Sequence, residues 1–306
     1  MVIPILLGVA TIIFVLMFLV PGDPARLLMG QHGDERVLES IRHEMGLDKP
    51  VYIQYVRFIG KLATGDLGTS YRQKRPVIQI IRERFPATAK LAVASMILAI
   101  IIGIAAGIIA AIYRNRVWDW IVMVLSLTGI SMPVFWLGMM LILIFASGLG
   151  WFPVGGYGRS GDLRHLALPA LSLSTISIGY ISRMMRSSML EVIGRDYIRT
   201  ARAKGLSETA VILRHALKNA FIPVITVIGI NFAALLGGAV ATETVFAWPG
   251  LGRATVDAIK GRDLPVVEGC VIFLAFIFVM ANLLVDLSYA WLDPRIRLEG
   301  GMEETI

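Results

Sequence analysis

The sequence predicts an all-α protein that crosses a membrane six times, with a folded polar segment between the first and second crossings. Three observations carry this. Apolar residues make up 56% of the 306 residues and charged residues only 17%, where a soluble domain has about 25% charged. The mean hydropathy is +0.73. Apolar runs of membrane length, about 20 helical residues each, recur along the whole chain. The formal net charge of +7 calls for no nucleic acid, because basic residues held on the cytoplasmic face of a membrane protein give the same excess. Cys270 is the single cysteine, which excludes an internal disulfide. His32, His43, His165 and His215 are scattered, without metal-ligand spacing.

Residues 1–20 form the first span. They have neither the basic lead nor the small-residue cleavage site of a signal peptide, and the abrupt apolar start predicts a short basic lead-in upstream. PGDP (21–24) stops this helix, since proline lacks an N–H and restricts the residue before it. Residues 21–85 form an extracytoplasmic segment. In it DERVLESIRHEMGL, KPVYIQYVRFIGKLATG and PVIQIIRERF have helical spacing, and Gly65–Gly68 marks a turn. The core, 86–291, holds spans at about 88–113, 120–146, 166–185, 222–241 and 266–291. Small residues such as Gly103 and Gly107 suit close helix approach in the second span. Ser131 and Pro133 give the third a polar side and a kink. Residues 292–306 are a short tail.

Six spans put both termini on one side. Arg114 and Arg116, the basic residues of 183–218, and Arg295 and Arg297 all fall on the side of the termini, so that side is cytoplasmic.

The polar insert 186–221 stands out between two apolar runs. Asp196 is placed to N-cap a helix from Tyr197 to Lys204, and Gly205 suits the left-handed residue that ends it. Ser207 caps a second helix with Ile212, Leu213, Ala216, Leu217, Ala220 and Phe221 on one face. The pattern leaves three readings open. These are a docking element for a soluble partner, a DNA-reading helix-turn-helix, and an ordinary basic loop. Tethering by membrane spans at both ends weighs against DNA.

A glycine at such a corner, before the penultimate span, resembles the EAA loop of ABC importer permeases. Here the motif reads Arg199-Thr200-Ala201 with Gly205 in place, so the family's glutamate is absent and only Ala201 and Gly205 fit the general pattern. RDYIRTARAKGLS followed by RHALKNAFIPV is similar to the peptide and nickel branch. So are PGDP, MGLDKP, GDLGTS, RFPAT, SMPVFWLG, GWFPVGG, ETVFAWPGLGR, RDLPVVEG and LDPRIRL, in that order along nearly the whole chain. The resemblance implies a type I ABC importer permease fold. It implies a heterodimer with a second permease subunit, two ATPase subunits, an extracytoplasmic substrate-binding protein, and a cell inner membrane as the site of work. It implies transport of dipeptides or oligopeptides by alternating access, with nickel or glutathione as alternatives within the branch. Asp196, Arg199, Thr200, Ala201, Lys204 and Gly205 are then the ATPase-coupling candidates.

No G-x-x-x-x-G-K-[ST] occurs, so ATP and magnesium are expected in partner subunits and no cofactor in this chain. No hydrolase signature is present either. Ser131, Ser174, Ser177, Asn231 and Glu243 are candidates for lining a translocation path, because polar groups at membrane depth are expensive and usually face a cavity or another helix. Packing of small residues and interhelical hydrogen bonds are the competing explanations. Outside this class stand a membrane-tethered DNA-binding regulator and a secondary transporter driven by an ion gradient.

Overall fold

A computed structural model describes residues 2–19, 25–26, 35–159 and 162–292. The PGDP stop, His32 and the tail beyond Leu292 lie outside them. Apart from one isolated antiparallel bridge, Thr69 to Pro76, the described residues form helices, turns and loops. In order these are α1 (Val2–Leu19), α2 (Glu35–Met45), α3 (Val51–Ala63), α4 (Val77–Ile112) and α5 (Val117–Ser131). Then come α6 (Val134–Leu141, running on as a π-helical stretch Ile142–Gly148), α7 (Leu163–Ile193) and α8 (Asp196–Ala203). The chain closes with α9 (Glu208–Gly237), α10 (Val240–Val245), α11 (Leu251–Lys260) and α12 (Leu264–Leu292). Helices α1, α4, α7, α9 and α12 are each long and apolar enough to cross a membrane, and the bent pair α5–α6 supplies a sixth crossing if counted as one.

Three helices are longer than the spans the sequence predicts. The amphipathic stretch PVIQIIRERF is not a separate helix: α4 runs through Pro86 and includes it. The second helix of the polar insert is likewise one rod with the fifth span, α9, despite Pro223. Helix α7 extends at both ends of 166–185. The third span differs in the other direction. Where the sequence predicts a kinked helix over 120–146, α5 and α6 meet at 107°. Met132 and Pro133 are both extended, at ψ 133 and 128. The steric restriction on a residue before proline puts two consecutive non-helical residues at the joint.

Helices α4 and α7 form the spine. They approach so closely that a Cβ on Gly107 would lie 2.5 Å from Met185 Cβ and 2.6 Å from the Ser182 carbonyl oxygen. On the other side of α7, a Cβ on Gly179 would meet Ile130 and the Ser126 carbonyl on α5, and the Ser126 and Ser182 hydroxyls bond at 2.7 Å. Small residues let backbones pack this tightly where lipid supplies no hydrophobic drive between helices.

The segment after α3 is fastened to the start of α12 by one buried acid. Asp263, 2% exposed, accepts from Ser70 Oγ at 2.5 Å and from the amides of Tyr71 and Arg72 at 2.9 and 3.4 Å. Burial, followed by the Glu268 and Asp263 carboxylates nearby, pushes the adjacent Tyr71 phenol above its usual range. Asp263→Ala is expected to lower the stability of the assembled protein by about 2–4 kcal/mol, because three donors lose their acceptor. Thermal unfolding of the purified complex checks this, with Asp263→Asn falling between.

Candidate functional site

The polar insert folds into an elbow. Helix α7 ends at Ile193, and Arg195 is extended at ψ 149. The Arg195 carbonyl accepts from Ile198 and Arg199, so α8 starts one residue earlier than the sequence suggests. Asp196 is therefore the first residue of the helix and not its cap. Its carboxylate projects outward, 3.7 Å from Arg199, still favourable at a helix N-terminus. Lys204 caps the other end, and Gly205 takes φ +76, as a left-handed C′ residue does. Ser207 Oγ accepts from the Ala210 amide at 3.4 Å and opens α9.

Three kinds of contact fix the angle at Gly205. Ile198 and Ala201 of α8 are buried in one cluster with Met185, Met189, Val211 and Ala216. Arg202 donates from Nε and Nη2 to the two oxygens of Glu208, at 3.0 and 2.6 Å, across the turn. Asn219 Nδ2 donates to the Tyr197 hydroxyl at 2.8 Å. Asp196, Arg199, Thr200, Lys204 and Gly205 remain exposed. Ala201 does not: of the six coupling candidates it alone faces inward, so it anchors the elbow. Behind the elbow, Arg186 of α7 holds buried Asp119 at the start of α5 through two bonds of 2.6 and 2.7 Å.

The path candidates are not brought together. Ser131 is exposed, in an open groove of about 550 Å³ at the α5–α6 bend, with Thr128, Pro133 and Trp136. Ser174 is buried and donates to its own helix at Leu171. Ser177 is buried and donates to Asn231 Oδ1 at 3.4 Å, while Asn231 donates to Val227. These three make helix and interhelical bonds, the competing explanation.

Glu243 belongs to a different structure altogether. It lies on α10, beyond the fifth span, fully buried. Its carboxylate accepts from the Thr88 hydroxyl at 2.6 Å and the Arg253 amide at 3.0 Å. Thr88 Oγ1 in turn accepts from the Leu251 amide, and Trp248 Nε1 donates to the Ala87 carbonyl. Gly250 packs directly on the carboxylate, where no side chain fits. Glu243 thus caps α11 and knots it to α4, so its reading as a lining group is replaced by a structural one.

Residues 103–298 match the family described as "Binding-protein-dependent transport system inner membrane component", and residues 1–92 match the N-terminal model of the same kind of component. The chain belongs to this family. It is 45% identical to the probable D,D-dipeptide transport system permease protein DdpB of Escherichia coli (strain K12), over 96% of this chain and 94% of that one. The dipeptide transport system permease protein DppB of Alkalihalophilus pseudofirmus is 42% identical over 96% of each chain. The glutathione transport system permease protein GsiC of Salmonella paratyphi A is 46% identical over 96% and 95%. Among solved structures, the inward-facing MetNI methionine ABC transporter superposes with a TM-score of 0.53 at 18% identity, covering 69% of this chain and 96% of that one. An amino acid ABC transporter gives 0.54 at 15%, covering 71% and 94%. These two establish the fold, that of a type I ABC importer permease.

The permease is therefore a multi-pass inner-membrane component of the dipeptide and oligopeptide branch, a transport subunit and not itself an enzyme. A permease of this family works with an ATPase and a substrate-binding protein. Reasoning from sequence missed Asp119, Arg202–Glu208 and the Glu243 knot. The signal for the knot was present in ETVFAWPGLGR, whose Glu243, Trp248, Gly250 and Leu251 all take part.

Proposed function

We propose that this permease carries dipeptides or oligopeptides handed over by an extracytoplasmic binding protein, paired with a second permease and driven by two ATPase subunits that hold the ATP and magnesium. Both termini and the elbow are cytoplasmic. The elbow is the coupling element. Asp196, Arg199, Thr200, Lys204 and Gly205 meet the ATPase, and Ala201 ties that contact to α7. ATP binding closes the ATPase pair, the elbow carries that motion into α7 and α9, and the path opens outward. Hydrolysis resets it. The groove at Ser131 faces the path. The observation that carries this reading is the elbow itself, a polar surface braced from behind and continuous with two membrane helices.

Arg202→Glu is expected to leave the complex assembled and to cut uptake and substrate-stimulated ATPase together, since like charges then face each other across the turn. Arg202→Glu with Glu208→Arg restores both. Equal loss in the single and double variants would remove the clamp from the coupling path. For the cargo, the measurement is which loaded binding protein stimulates the reconstituted ATPase. Stimulation by glutathione with none by dipeptides would favour the second reading, which rests on the 46% identity to GsiC.

A further inference from the structure

Two cavities adjoin beside the first turns of α12. The polar one, about 650 Å³, lies among α3, the loop after it and α12, and Lys61, Tyr71, Lys74 and Glu268 line it. The other is an apolar groove of about 460 Å³ among α1, α3 and α12, lined by residues such as Leu6, Ala10, Ile59 and Phe276. Leu62, Leu67 and Ile272 wall both, so the two lie side by side.

The polar cavity carries both signs of charge on its wall. Glu268 Oε1 is shut off from solvent and accepts no hydrogen bond among the described residues. An acid so placed at the edge of a membrane helix marks a candidate site, and what the oxygen lacks is a hydrogen-bond donor. Among the described residues no ion pair engages Lys61 or Lys74, and Asp66, the other acid on the wall, accepts from the Gly68 amide. The cavity thus offers the ammonium groups of the exposed Lys61 and Lys74 and two acids, Asp66 and Glu268, of which Glu268 has one oxygen without a partner, beside an apolar groove. Glu268 and Phe276 are about 12 Å apart along the helix axis, which leaves room for a chain to run downward from a headgroup.

We propose that the paired cavities hold one aminophospholipid of the phosphatidylethanolamine type. Its phosphate lies between Lys61 and Lys74, its ammonium meets Glu268, and one acyl chain fills the groove among α1, α3 and α12. A purely anionic lipid satisfies the lysines but brings no ammonium to Glu268. A soluble zwitterion satisfies the head and leaves the groove empty. The lipid bridges α1 and α3 to α12, joining the N-terminal segment to the core.

The test uses the whole transporter, purified in detergent with its partner subunits, stripped of lipid and examined by native mass spectrometry. Phosphatidylethanolamine, phosphatidylglycerol and soluble phosphorylethanolamine are titrated back. Wild type is expected to take up one phosphatidylethanolamine at least about tenfold more tightly than phosphatidylglycerol, roughly the 1.4 kcal/mol of one added ion pair. Glu268→Gln should abolish that preference. Lys61→Ala with Lys74→Ala should weaken both lipids, and Ala10→Trp should block lipid by filling the groove. Equal affinity of wild type for the two lipids overturns the proposal, as does a preference that survives Glu268→Gln. Phosphorylethanolamine bound as tightly as the lipid replaces it with a soluble ligand. If a variant does not assemble, the wild-type comparison of the two lipids decides alone.

Discussion

Gly205→Val is expected to leave the transporter assembled and to stop transport. Nothing lies within 4 Å of the position a Cβ would take, so the substitution causes no collision. The effect is in the backbone. Gly205 sits at φ +76, and a residue with a Cβ loses about 1–2 kcal/mol there, a shift of roughly tenfold in the population of the native turn. A β-branched side chain lies at the unfavourable end of that range. The buried face of α8 and the Arg202–Glu208 clamp hold the helix in register with α9 only at the native angle. Uptake by reconstituted complex and ATPase stimulated by loaded binding protein should fall together, while subunit stoichiometry is unchanged. Gly205→Asn, which tolerates the left-handed region, should keep most of both. Normal uptake by Gly205→Val would refute the coupling role.

The largest expected loss of stability is at the Glu243 knot. Glu243→Ala removes the acceptor for Thr88 and for the Arg253 amide and leaves a void in a fully buried site. Orphaned donors and the void together cost about 3–5 kcal/mol, a large share of the stability of any domain. Gly250→Ala should be comparably damaging for a different reason, since its methyl group overlaps the carboxylate. The two changes share one volume, so their effects should not add. The double variant, in which the methyl takes the space the carboxylate left, should be more stable than the sum of the singles predicts. Thermal unfolding of the complex, followed by tryptophan fluorescence, measures all three.

What could be read from the sequence was what is local. Apolar runs mark membrane helices because burial in lipid acts on every residue of the run. The cap at Ser207 and the turn at Gly205 follow from the chemistry of one or two residues. Helix continuity was not legible. Pro86 and Pro223 look like breaks, yet α4 and α9 run through them, because neighbouring packing outweighs a lost backbone bond. At the α5–α6 joint the same residue type ends the helix, since Met132 and Pro133 are both extended. The roles of Ser177, Asn231 and Glu243 were out of reach because their partners are distant in sequence. Glu243 bonds Thr88, 155 positions away, and Ser177 bonds Asn231, 54 away. A polar residue in an apolar run shows that a partner exists but not whether it is water, cargo or another helix.

The elbow has unequal arms. Helix α8 spans 8 residues and α9 30, about 12 Å against about 45 Å of axis at 1.5 Å per residue. A body of that shape, if it pivots at Gly205 as a rigid unit, is geared: about 2 Å of travel at the tip of the short arm becomes about 7.5 Å at the far end of the long one, from the same axial rise. Under the coupling role proposed above, small strokes where the ATPase meets the elbow become larger strokes at the far end of α9, and the force available there falls in the same ratio.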